Sequence, residues 1–160
     1  KTVDNNGGVT FISALSGLGA PYWNPKVKGA IMGITRGTKK GHIARAALEA
    51  IALRSREIII EMQKDSGTTF DKLKVDGGAS NNNLLMQIQS NLLQTQVIRP
   101  KITETTALGV AFFAGLATGF WNSIDQIKSI WDIEMKFDPK VQEYDKKVIS
   151  NWENRIKKVL

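Results

Sequence analysis

The stretch Leu73-Lys74-Val75-Asp76-Gly77-Gly78-Ala79-Ser80-Asn81-Asn82-Asn83-Leu84 restricts the possible folds of this chain more than any other. Leu73 and Val75 alternate with polar neighbours at the period of a short strand, and Asp76-Gly77-Gly78 stops it. Ser80 or Asn81 then stands where a helix is capped, and Leu84, Leu85, Ile88 and Leu92 recur on one helical face. In open α/β sheets, ligands sit beyond the carboxyl ends of strands, where a glycine turn lets backbone approach closely. Two adjacent glycines leave no side chain above the turn, so a flat ring has bare backbone to rest on. An ordinary strand-to-helix turn carries the same pattern, and these residues alone leave both readings open.

The flanking sequence repeats the alternation of strand and helix. Val9 to Leu15 and Gly29 to Thr35 read as strands, separated by a structured loop, Ser16-Gly17-Leu18-Gly19-Ala20-Pro21-Tyr22-Trp23-Asn24-Pro25. Packing of its two aromatic rings and binding by them are both open. A long helix is predicted from about Lys39 to Asp65, capped by Thr38 and ended by Gly67, some 40 Å at 1.5 Å per residue. Ile43, Ala46, Ala47, Ala50 and Ile51 give it a small-residue face, and Ile58, Ile59 and Ile60 extend the apolar surface, which predicts a mostly buried helix.

Beyond the glycine turn, Gln96 to Arg99 reads as a strand that Pro100 ends. A helix over Thr105 to Thr118 aligns Ala107, Ala111, Ala114 and Gly115, small residues that suit either a tight crossing between lobes or a rigid core. Asp138-Pro139 opens a terminal amphipathic helix, at about 138–160, with Val141, Tyr144, Val148, Trp152 and Ile156 on its apolar side. Strands alternating with helices argue for an α/β fold with a mostly parallel sheet flanked by helices.

Composition excludes several kinds of chemistry. The 160 residues are one domain by size, with ordinary apolar (42%) and charged (23%) fractions. No apolar run approaches the roughly 20 residues of a membrane span. Without cysteine there is no disulfide framework and no thiolate metal site, and His42, the one histidine, leaves no histidine triad. The net charge of +7 is dispersed, with no run of five basic residues, so it predicts a solvated surface and no nucleic-acid partner. The opening Lys1-Thr2-Val3-Asp4 reads as an internal stretch of something longer.

Several motifs together resemble the FGGY carbohydrate kinases. Gly29-Ala30-Ile31-Met32-Gly33-Ile34, seven further residues, then His42-Ile43-Ala44-Arg45-Ala46-Ala47-Leu48-Glu49 is similar to that family's second signature. Val75-Asp76-Gly77-Gly78 resembles the adenosine motif of actin-like ATPases, and Ala107 to Gly119 resembles the second connecting helix of that fold. The Ala20-Pro21-Tyr22-Trp23 loop, Arg36, Glu104 to Gly109 and Gly119-Phe120-Trp121 are similar to the glycerol-phosphorylating branch, with the xylulose-phosphorylating branch as the runner-up. A non-catalytic interaction module is the reading from outside the class.

The resemblance implies an actin-like ATPase (ribonuclease H-like) domain truncated at its N-terminal side, residues 1–160 being the C-terminal part of a second lobe. It implies transfer of the γ-phosphoryl group of ATP, with Mg²⁺, to glycerol in a cytoplasmic, homo-oligomeric enzyme. Gly78 and Asn82 match the family's nucleotide contacts and Gly77 shapes their turn. The family's catalytic aspartate, glycerol contacts and phosphate loops precede these motifs, so no catalytic residue is assigned here and Asp76 is expected to support the turn. These residues by themselves are expected to be inactive.

Overall fold

The computed structural model describes residues 2–160. In chain order the elements are β1 (Thr10–Ile12), β2 (Ala30–Met32), α1 (Lys40–Ser66), β3 (Lys72–Lys74), a 3-10 turn (Gly78–Asn81) and α2 (Asn83–Leu93). They continue with β4 (Gln96–Pro100), α3 (Thr105–Ala117), α4 (Ile124–Ile130), β5 (Ile133–Phe137) and α5 (Glu143–Ile156). The class is α/β, with a two-stranded and a three-stranded sheet among the helices. Ile12, Leu53, Ile88, Val97, Trp152 and Ile156 meet in one core.

The expectation of a mostly parallel sheet is corrected. β3 and β4 pair parallel, Leu73 opposite Val97. β1 and β2 pair antiparallel, Phe11 opposite Ile31, and so do β4 and β5, Val97 opposite Phe137. Parallel neighbours need a crossover, which α2 supplies between β3 and β4; no helix separates β1 from β2, and β5 returns to β4 by way of α3 and α4. β5 is a strand the sequence reading passed over, although Ile133, Met135 and Phe137 alternate with Glu134 and Lys136 at a strand's period.

α1 spans the predicted residues, and Gly67 closes it in the left-handed conformation (φ 64°) that costs glycine nothing. Its N-cap is Lys39, whose amide donates to Nδ1 of His42 at 3.1 Å. The Thr38 hydroxyl instead accepts from the Thr35 amide. Burial follows a single stripe (Ala46, Glu49, Ala50, Ala52 and Leu53), while Ile51, Ile58 and Met62 are exposed, so α1 is not mostly buried. Glu49 lies in that stripe because three groups satisfy it. Asn6 Nδ2 donates at 2.8 Å, Arg45 Nε at 2.6 Å and the Tyr144 hydroxyl at 2.7 Å, which ties the first turn and α5 to α1.

Gly115 of α3 is buried, but not against another helix. The Trp121 ring folds back on it, so close that a Cβ there would lie 2.1 Å from the ring. Ala107, Ala111 and Ala114 are exposed, and no tight helix crossing uses them among the described residues. α5 starts at Glu143, five residues later than the Asp138-Pro139 signal implied. Its Val148, Trp152 and Ile156 are buried as expected, whereas Val141 precedes the helix and is exposed. In the aromatic loop the two rings divide. The Tyr22 hydroxyl donates to Glu57, which also accepts from Trp152 Nε1 at 2.7 Å, while Trp23 is 77% exposed.

Candidate functional site

The strand-to-helix junction predicted from Leu73 to Leu84 is built as a ledge at the carboxyl end of β3. The Val75 amide adds one more rung to the parallel ladder by donating to the Ile98 carbonyl at 3.0 Å. The chain then turns away, and the Gly77 amide donates to the Thr103 carbonyl at 2.8 Å, which fastens the turn to the segment entering α3. Asp76 accepts the Thr105 hydroxyl. That is the supporting role expected for this carboxylate: it braces two elements.

The two glycines have different tasks. Gly77 sits at φ 75°, a conformation that strains any residue with a Cβ. Gly78 does not have a positive φ and begins the 3-10 turn. Nothing within the protein demands glycine there: no atom lies within 4 Å of where its Cβ would stand, and the residue is exposed. Bare backbone therefore faces open space at Gly78, as a flat ligand would require. The turn beneath is firm, with the Ser80 hydroxyl and amide both donating to the Gly77 carbonyl at 2.7 and 3.0 Å.

Asn82 is the N-cap of α2, where Ser80 or Asn81 was expected. Its Oδ1 accepts the Leu85 amide at 3.1 Å and satisfies one of the orphan donors of the first turn. The Nδ2 donors make no hydrogen bond among the described residues and stand on the exposed side. Gly78 and Asn82 thus flank one short ledge, a hydrogen-bonding amide beside a strip of backbone. The arrangement can hold a planar heteroaromatic base and read its edge.

Sequence reasoning missed one residue of this site. Arg99, in β4, is 4% exposed and reaches beneath the ledge. Its Nη1 donates to the Ser80 carbonyl at 2.6 Å and to Asn83 Oδ1 at 2.8 Å. Nε and Nη2 pair with Glu134 of β5 at 2.7 and 3.3 Å, and the guanidinium lies 5.5 Å from the Phe137 ring centroid. An arginine between Ile98 and Pro100 in a buried strand was the available signal, since a buried charge needs partners.

Groups with displaced titration lie elsewhere. Burial, then the Glu57 carboxylate, pushes the Tyr22 phenol well above the usual tyrosine range. Burial and Glu49 do the same to Tyr144, and burial raises the Asp145 carboxyl. The two tyrosines brace the fold through their carboxylate partners. Among the described residues no three His, Cys, Asp or Glu side chains gather as a metal cluster, and no helix is long and apolar enough to cross a membrane.

The fold belongs to the actin-like ATPase class. The profile of the FGGY family of carbohydrate kinases, C-terminal domain, matches residues 1–118, and the chain belongs to that family. It is 52% identical over 160 residues to glycerol kinase 2 of Sulfolobus acidocaldarius, covering 99% of this chain and 32% of that protein. Among solved structures it resembles Plasmodium falciparum glycerol kinase with ADP at 35% identity and a TM-score of 0.86, covering 99% of this chain and 32% of that one. A ligand-bound xylulose kinase from Lactobacillus acidophilus, 20% identical with a TM-score of 0.76 over 95% of this chain and 31% of its own, shares the fold. The chain spans about a third of the length of the curated relatives it matches.

Proposed function

We propose that this chain is the adenosine-binding, C-terminal part of a glycerol kinase. The observation that carries the reading is the ledge: exposed, unobstructed backbone at Gly78 beside the Nδ2 donors of Asn82. The adenine ring lies against Gly78, Asn82 donates to its edge, and Gly77 supplies the turn that only glycine adopts without strain. The relatives' names favour glycerol as acceptor at about half identity, whereas the likeness to xylulose kinases is one of fold.

In the proposed reaction a glycerol hydroxyl oxygen bonds the γ-phosphorus of ATP, the bond from that phosphorus to the bridging oxygen breaks, and ADP leaves. The hydroxyl proton passes to a base. Such transfer depends on positioning and electrostatics. The contribution of these residues is to anchor the nucleotide by its base, which fixes where the phosphates point. The base, the glycerol contacts, the phosphate loops and any holder of Mg²⁺ are assigned to the rest of the enzyme, and no step is assigned to metal on this chain. A second actin-like lobe, a cytoplasmic location and homo-oligomeric assembly complete the proposal.

The test is a coupled assay of the full-length protein that carries this chain. ADP release should depend on both ATP and glycerol, and glycerol 3-phosphate should accumulate with it. No glycerol-dependent ADP, or a higher kcat/KM with xylulose, would overturn the assignment.

A further inference from the structure

We infer that Arg99 is a positioning residue for the nucleotide: it sets the spacing between Gly78 and Asn82 from beneath the ledge. The inference rests on the adenosine reading above and adds a residue to it. The single Nη1 of Arg99 bridges the Ser80 carbonyl at 2.6 Å and Asn83 Oδ1 at 2.8 Å. Those two partners bracket Asn81 and Asn82, one inside the 3-10 turn and one in the first turn of α2. Moving either changes where the Asn82 amide stands relative to the Gly78 backbone.

Helix stability does not explain this placement. A cation beneath a helix N-terminus opposes the helix dipole, and a buried one is costly to desolvate. Glu134 offsets that charge through two hydrogen bonds from the far side, and it is itself 45% exposed at the side chain. Charge-assisted, forked donors hold geometry better than the single point charge of lysine. The joint crosses the sheet, since Arg99 is on β4, Glu134 on β5, and the ledge follows β3. The geometry of the binding surface is thereby referred to the sheet and not to the turn alone.

The experiment uses the full-length protein with Arg99→Met, Arg99→Lys and Glu134→Gln, and a core control, Val148→Ala, far in sequence from the ledge. The readouts are the Kd for ADP, the KM values for ATP and glycerol, kcat and Tm. Arg99→Met should weaken ADP binding and raise the ATP KM about tenfold or more, the loss expected from charged hydrogen bonds. Arg99→Lys should fall between it and wild type, and Glu134→Gln should raise the ATP KM severalfold. The glycerol KM should stay within about twofold throughout. Val148→Ala should lower Tm and leave the ADP Kd unmoved.

If Arg99→Met fails to fold, Arg99→Lys and Glu134→Gln decide the question. Lowered Tm with an unchanged ADP Kd in these variants would make Arg99 a structural residue only and overturn the inference. Gly78→Val separates this failure from that of the adenosine reading. Weakened ADP binding in Gly78→Val with no effect at Arg99 sinks this inference alone, whereas no effect in Gly78→Val sinks the reading beneath it.

Discussion

Asn82 Oδ1 accepts the Leu85 amide at 3.1 Å, so the side chain that caps α2 is also the one proposed to meet the nucleotide. The two halves of the carboxamide differ: the oxygen is bound to the helix, and the Nδ2 donors make no hydrogen bond among the described residues. Asn82→Ala is therefore not a pure test of binding, because losing an N-cap costs about 1 kcal/mol of stability. Asn82→Asp keeps a capping oxygen and removes the donors. Tm should fall in Asn82→Ala and hold in Asn82→Asp, while the ATP KM of the full-length protein rises in both. A normal ATP KM in Asn82→Asp would remove Asn82 from the nucleotide site.

The glycine pair makes opposite predictions at neighbouring positions. Gly78→Val introduces a side chain into open space without a positive φ to strain it. It should cost well under 1 kcal/mol of stability yet raise the ATP KM at least about tenfold. Gly77→Ala, at φ 75°, should cost about 1–2 kcal/mol through backbone strain. Thermal melts and ATP titrations of the two variants should show these effects in opposite proportion.

Gly115→Ala tests the contact between α3 and its own C-terminal extension. A Cβ at 2.1 Å from the Trp121 ring forces that ring away, together with its edge-on stacking against Phe112 at 5.2 Å between centroids. Overpacking of this kind costs about 1–3 kcal/mol and exceeds the roughly 1 kcal/mol alanine contributes to a helix. Lower Tm and altered tryptophan emission are expected. Stabilisation by this substitution would mean that Trp121 does not pack here in solution.

Asp145 provides a pH signature. Its Oδ2 is buried with no hydrogen-bond partner among the described residues, and burial is the main cause of its raised pKa, with Glu49 adding and Arg45 opposing. A carboxyl whose folded pKa exceeds its ordinary value of 3.8 stabilises the fold at low pH, and that contribution is lost as pH rises through the folded pKa. Asp145→Asn resembles the protonated form. Its Tm should exceed wild type at pH 7, and the gain should shrink as pH falls, vanishing below about 3.8. An equal gain at every pH would show that the carboxyl's ionisation is not involved.

Much of this protein was determined by its sequence alone, through rules that act over short distances. The strand-turn-helix at Leu73 to Leu84, α1 and its stop at Gly67, and the buried α5 residues Val148, Trp152 and Ile156 follow from periodicity and turn chemistry. The motifs around Gly29 to Glu49 and Asp76 to Gly78 carried the family. What tertiary structure decided is which distant groups meet. Gly115 has the composition of a helix-crossing position, yet its partner is Trp121, because the chain folds back after α3. Ile51 and Ile58 of α1 stay exposed, off the stripe in which Ala46, Ala50 and Leu53 are buried. Asn82 took the cap from Ser80 because a 3-10 turn intervenes, and Ser80 spends its hydroxyl on Gly77. Arg99 could be seen in sequence only as a charge in a buried strand. Its role needed β5 to bring Glu134 alongside and the ledge to come down on its other end, and no local pattern encodes the partners of a buried charge.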